Sequence, residues 1–175
     1  MIKILVAYAS KHNSTAEIAY AIGEVLQKSQ ERQVDVQPAD NVGDISPYDA
    51  VVLGSAVYMG QWQPAAIDFL THHEQELIER PVWLFSSGPT GEGEPTALLK
   101  GWAFPDTLQP LAARIMPRDI ALFHGRLDSA WLNIFERSAV KFAHASTGDS
   151  RDWAAIRAWA ESIAQELCVV ANKEG

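Results

Sequence analysis

Cysteine is almost missing from this sequence. Cys168 is the one thiol in 175 residues, which excludes an intrachain disulfide and any cysteine-built zinc or iron–sulfur site, and suits a reducing cytoplasm. Near a helix end it reads as a small apolar residue. Basic charge is scarce too. The 14 Lys and Arg against 22 Asp and Glu leave a formal charge of −8, so nucleic acid and phosphate-rich membrane surfaces are repelled over most of the exterior. Long hydrophobic runs are missing as well: residues 1–7 are apolar but far too short to span a bilayer and lack a signal-peptide layout, so the protein is expected to stay in the cytoplasm. Neither Gly-Lys-Ser/Thr nor a glycine-rich dinucleotide fingerprint occurs in the first loop, which argues against ATP and NAD. Ser86-Ser87-Gly88 is not the Gly-x-Ser-x-Gly elbow of a hydrolase. The histidines, His12, His72, His73, His124 and His144, form no pair with metal-ligand spacing, so no metal site is expected.

What is present is a regular alternation. Residues 2–8 form a nearly continuous apolar run, the pattern of a strand buried on both faces. Ile18, Ala19, Ile22, Val25 and Leu26 then recur at helical spacing between residues 14 and about 29. Further strands are expected at 33–37, 49–55, 81–88 and 118–125. Helices are expected after Pro64, which suits a first helical turn, from 106 to about 115, and from about 152 to 167, where Trp153, Ile156, Trp159, Ala160, Ile163, Ala164 and Leu167 make one stripe. Strands apolar on both sides, alternating with helices, imply a parallel doubly wound α/β sheet in one domain spanning 1–175. Residues 129–145 are an extra piece whose apolar residues suggest a further helix, either a simple cover or a lid near a ligand.

In such a sheet a ligand lies outside the carboxyl ends of the strands, where strand order reverses. Three loops fall there. Ser10-Lys11-His12-Asn13-Ser14-Thr15 precedes the first helix and offers hydroxyls plus free backbone amides to a phosphate, although the same residue types also cap helices and fill turns. Gly54 to Trp62 carries two glycines that let backbone approach a planar ring, and Tyr58 or Trp62 could cover one of its faces. Ser86 to Gly93 is too polar to be core. Three such loops at one edge suit a ligand with a phosphate and a flat ring.

At these loops the sequence resembles the flavodoxin superfamily, in order from Lys3 to Gly88 and again in the last helix. The resemblance implies a five-stranded parallel sheet of order 2-1-3-4-5 with helices on both faces, and FMN as cofactor. Its phosphate would fall to Ser10, Lys11, His12, Asn13, Ser14 and Thr15, with Asn13 standing where glycine is usual. The isoalloxazine would be bordered by Ala56, Val57, Tyr58, Met59, Gly60 and Trp62 on one side and by Ser87, Gly88, Pro89, Thr90 and Gly91 on the other. No Tyr or Trp lies between Ser86 and Gly93, where many flavodoxins stack an aromatic on the flavin. Residues 6–10, 54–60 and the Asp152-Trp153 helix look most like the menaquinone-dependent protoporphyrinogen oxidase branch, whose extra segment would correspond to about 127–151 and is less basic here than membrane docking would need. The resemblance implies an oxidoreductase passing electrons to a quinone or similar organic acceptor; the alternative is an electron carrier or non-catalytic flavin-binding module that docks to a redox partner protein. No side chain need act as a nucleophile. Glu92, Glu94 and Asp128 are candidates, by position, for lowering the flavin's potential.

Overall fold

The computed structural model describes residues 1–128, 130 and 148–171. Its first strand, β1 (Ile2–Ala9), leads through a short loop into α1 (Ser14–Leu26) and then β2 (Arg32–Pro38). A 3-10 turn at Ala39–Asn41 precedes β3 (Ala50–Tyr58), which folds back on β4 (Gln61–Trp62). Then come α2 (Pro64–His72), α3 (Glu74–Ile78), β5 (Val82–Ser87), α4 (Pro95–Leu98), α5 (Gln109–Ile115), β6 (Asp119–Phe123), a small ribbon of β7 (Arg126–Leu127) with β8 (Gly148–Asp149), and α6 (Trp153–Ala171). The parallel strands pair in the order β2-β1-β3-β5-β6, which is the expected 2-1-3-4-5 order once the antiparallel β4 is set aside.

Alternation along the strands sends successive side chains to opposite faces, and both faces are covered. Leu5, Ala7, Val51, Leu53, Val82 and Leu84 point toward α2, α3 and α5, with Phe69, Leu70, Leu77 and Ile115 packed on them. Ile4, Val6, Ala50, Val52, Trp83 and Phe85 point the other way, onto α1 and α6, where Ile18, Ile22, Ile156, Ala160 and Ile163 are buried. This double burial is why the strands read as unbroken apolar runs.

Departures from the expected elements have local causes. β3 runs three residues past Ser55 because Tyr58 pairs with Gln61 and Val57 with Trp62 in a tight hairpin. The sheet therefore has a sixth, short strand that the alternation did not announce. The first helix stops at Leu26, not 29, where the Gln27 side chain donates to the Arg32 carbonyl and accepts from the Val34 amide, tying the turn to β2. The helix expected from 106 begins as a 3-10 turn and becomes α-helical at Gln109, with Pro110 in its first turn. The helix after Pro64 is interrupted at His73, the shared boundary of α2 and α3. The extra helix expected at 129–145 lies outside the described residues, apart from Ala130. No helix among the described residues is long and apolar enough to cross a membrane.

Candidate functional site

Strand register sets the site. Ala9 of β1 stands beside Ser55 of β3, Ala56 beside Ser87 of β5, and Ser87 beside Phe123 of β6. The residues that follow each strand therefore leave the sheet at one edge, between β1 and β3, where the chain order reverses. The three loops touch. Lys11 Nζ lies 4.3 Å from the centre of the Tyr58 ring, a cation–π contact joining the first loop to the second. Gly88 lies close to Val57, so that a methyl added there would meet its Cβ at 3.3 Å, joining the second loop to the third.

The first loop is shaped by Asn13, whose φ of 61° is left-handed, a conformation Asn tolerates better than other non-glycine residues. Its side chain makes no capping hydrogen bond. The first helical bond runs from the Glu17 amide to the Asn13 carbonyl at 3.0 Å, which leaves the Ser14, Thr15 and Ala16 amides ahead of any intrahelical acceptor. The hydroxyls of Ser10 and Thr15 are buried and make no hydrogen bond among the described residues; Thr15 as a whole is 1% exposed. Three neighbouring hydroxyls, by contrast, are engaged. Ser55 Oγ donates to the Ala56 carbonyl and accepts from the Gln63 amide, and Ser86 Oγ donates to the Ala103 carbonyl and accepts from the Trp62 indole. Ser14 Oγ accepts from the Arg126 amide at 3.1 Å. Two idle buried hydroxyls at the amino end of a 13-residue helix are what an anion-binding loop needs and what a plain cap does not.

The second loop is a two-residue turn. Met59 and Gly60 both have positive φ, 51° and 73°, the backbone of a type I′ hairpin. Ala56 and Val57 are half-buried, while Tyr58 and Met59 project outward, 42% and 84% exposed. Trp62 does not join them: it is 2% exposed, bonded to Ser86 and packed edge-on against Phe104, which leaves Tyr58 as the exposed aromatic of the hairpin. The planar group that Gly54 admits is likewise internal, since a methyl there would collide with the Phe85 ring.

In the third loop Ser87 is buried, and Gly88, Pro89, Thr90 and Gly91 are half-buried. The Gly88 amide donates to the Phe123 carbonyl and the Gly125 amide to the Pro89 carbonyl. His124, buried at the end of β6, sits with Nδ1 3.0 Å from the Pro89 carbonyl and Nε2 2.6 Å from that of Gly93. Ser150, just after β8, accepts from the Gly91 amide. These supports, His124, Arg126 and Ser150, were not legible as site residues: each lies outside the three loops and reaches them only through the fold. A family model described as a flavodoxin domain matches residues 5–153.

The chain belongs to the flavodoxin domain family. A Leishmania major protein named protoporphyrinogen IX dehydrogenase (quinone) is 25% identical to it over 175 residues, covering 93% of this chain and 74% of that one. Among solved structures, a flavodoxin from Streptococcus pneumoniae superposes with a TM-score of 0.57 at 15% identity, covering 94% of this chain and 99% of its own. The rubredoxin oxygen oxidoreductase of Desulfovibrio gigas gives 0.61 at 14% identity over 95% of this chain, which spans only 36% of that protein. At such identities the likeness is one of fold. The loop after β1, the β3–β4 hairpin and the loop after β5 leave the sheet at one edge, and the short β7–β8 ribbon lies beside the first of them.

Proposed function

We propose that this chain binds FMN and is an oxidoreductase of the protoporphyrinogen oxidase-like flavodoxin type, passing electrons to a quinone or similar organic acceptor. The observation that carries the cofactor assignment is the pair of buried, unengaged hydroxyls, Ser10 Oγ and Thr15 Oγ1. In this reading they and the leading amides of α1 hold the phosphate ester, with the positive end of the helix behind it. When bound, FMN supplies the electron chemistry at its ring, and the protein supplies position and field.

Lys11, His12, Asn13 and Ser14 complete the phosphate loop. Tyr58, with Ala56, Val57, Met59 and Gly60, borders one side of the ring; Ser87, Gly88, Pro89, Thr90 and Gly91 border the other. The third loop holds no aromatic side chain, so ring stacking falls to Tyr58. Glu92 and Glu94 are exposed and Asp128 is half-buried; negative charge at these positions opposes added charge on the ring and lowers its potential. Residues 1–175 form one functional unit, with about 127–151 as an extra segment that takes in the end of β7 and the whole of β8.

The acceptor assignment draws support from the name of the Leishmania major relative. Reconstitution tests both halves. Apoprotein mixed with FMN should take up one flavin with a protein-bound absorbance spectrum, and the loaded protein should then turn over with a quinone acceptor and porphyrinogen as donor. Flavin uptake without turnover on either substrate would replace the enzyme with an electron carrier. No uptake would remove the cofactor assignment itself.

A further inference from the structure

The β7–β8 ribbon, with Arg126 paired to Asp149 and Leu127 to Gly148, lies against the first turn of α1. Arg151 lies two residues beyond it, its side chain almost wholly buried at 3% exposed. Its Nε, Nη1 and Nη2 all donate hydrogen bonds. Nη1 donates to Glu17 Oε2 at 2.7 Å and to the Ser14 carbonyl at 3.4 Å, while Nε and Nη2 donate to the two carboxylate oxygens of Asp149 at 2.8 and 2.7 Å. The plane rests over the Trp153 ring, 4.5 Å from its centre. Glu17 is the acidic residue of α1's first turn. A carboxylate there suits the helix dipole, yet it faces the same end that the FMN reading gives to a phosphate dianion.

We propose that Arg151 is a positioning residue for the phosphate loop: it pins the first turn of α1 through the Ser14 carbonyl and neutralises Glu17, so that a phosphate monoester can be held at Ser10 and Thr15 without an opposing carboxylate. This rests on the FMN reading and adds to it a charge relay from outside the three loops. Asp149 orients the fork from its own strand, bidentate on Arg151, and that geometry is available to arginine and not to lysine.

Riboflavin, which has the same ring and lacks the phosphate, separates this role from general packing. Binding of FMN and of riboflavin to apoprotein, followed by flavin fluorescence quenching, should show that Arg151→Met weakens FMN about tenfold, the scale of one charge-assisted contact, and leaves riboflavin unchanged. Adding Glu17→Gln to Arg151→Met should recover part of the FMN loss. Glu17→Gln alone, which keeps Arg151 and its packing, should tighten FMN and leave riboflavin as it was, so the idea remains open to test even where Arg151→Met fails to fold. An equal loss of both ligands in Arg151→Met, or a Glu17→Gln protein with unaltered FMN affinity, would overturn the proposal while FMN binding by the wild-type chain stood. A wild-type chain that bound neither ligand would remove the cofactor reading, and this proposal with it.

Discussion

Asn13 carries the bend that turns β1 into α1. Its left-handed backbone costs a residue with a branched Cβ about 1–2 kcal/mol, and its side chain contributes no cap. Asn13→Gly should therefore keep or raise stability, whereas Asn13→Val should lower it by about that amount, read from urea melts. His124 makes a comparable contribution to the third loop. Its ring nitrogens lie 3.0 Å from the Pro89 carbonyl and 2.6 Å from that of Gly93, so the ring ties the end of β6 to the third loop. His124→Leu should remove that tie, at about 1 kcal/mol for a hydrogen bond lost, and should quicken amide exchange at Gly91 and Gly93 while leaving the β1 and β3 amides protected. Slow exchange retained at those glycines would show that the loop does not depend on the ring. At this scale the sequence disclosed residue types and left their duties open. Asn13 could be recognised as a tolerable left-handed residue from its neighbours, but Trp62 could not be told from Tyr58, because only the hairpin register decides which aromatic turns into the core.

Among the elements, β3 and β5 are locked by a close approach that depends on one missing side chain. Phe85, buried on β5, rests on Gly54 of β3, and a methyl at Gly54 would collide with the ring. Gly54→Ala should cost roughly 1–3 kcal/mol through overpacking, with a lowered thermal midpoint and a disturbed near-ultraviolet signal from the Phe85 and Trp159 surroundings, since those rings meet edge to face. The ribbon is held by electrostatics instead. The Arg151 guanidinium beside Asp149 holds its carboxyl below the usual carboxylate range. A folded-state value below the unfolded one means that the unfolded chain binds more protons, so this contribution is complete above the ordinary carboxylate range and is lost as pH falls through the folded value. Acid should thus release the ribbon, seen as falling protection of the Ser150 and Arg151 amides relative to their intrinsic exchange rates at each pH; in Asp149→Asn that acid response should vanish. The long strands and α1 were legible because burial on both faces leaves a periodic trace. The two-residue strands β4, β7 and β8 left none, being too short for any period and set by turn geometry and tertiary hydrogen bonds.

Across the whole molecule, a parallel sheet with its order reversing between β1 and β3 collects the loop after β1, the β3–β4 hairpin and the loop after β5 at one edge. His124 and the β7–β8 ribbon close around two of them from the far strand. The order of the sheet and the identity of the three loops could be anticipated from alternation, loop polarity and family likeness. The way the later segment supports them could not, since Arg151 and Ser150 lie more than a hundred and about sixty positions from the groups they hold, Ser14 and Gly91. The claim on which the account turns is that the unengaged hydroxyls of Ser10 and Thr15 are phosphate ligands. A crystal structure of the chain grown with FMN tests it most directly: the phosphate oxygens should lie within hydrogen-bond reach of both hydroxyls and of the first amides of α1. FMN bound with its phosphate elsewhere, or a loop closed on its own side chains in saturating FMN, would contradict it.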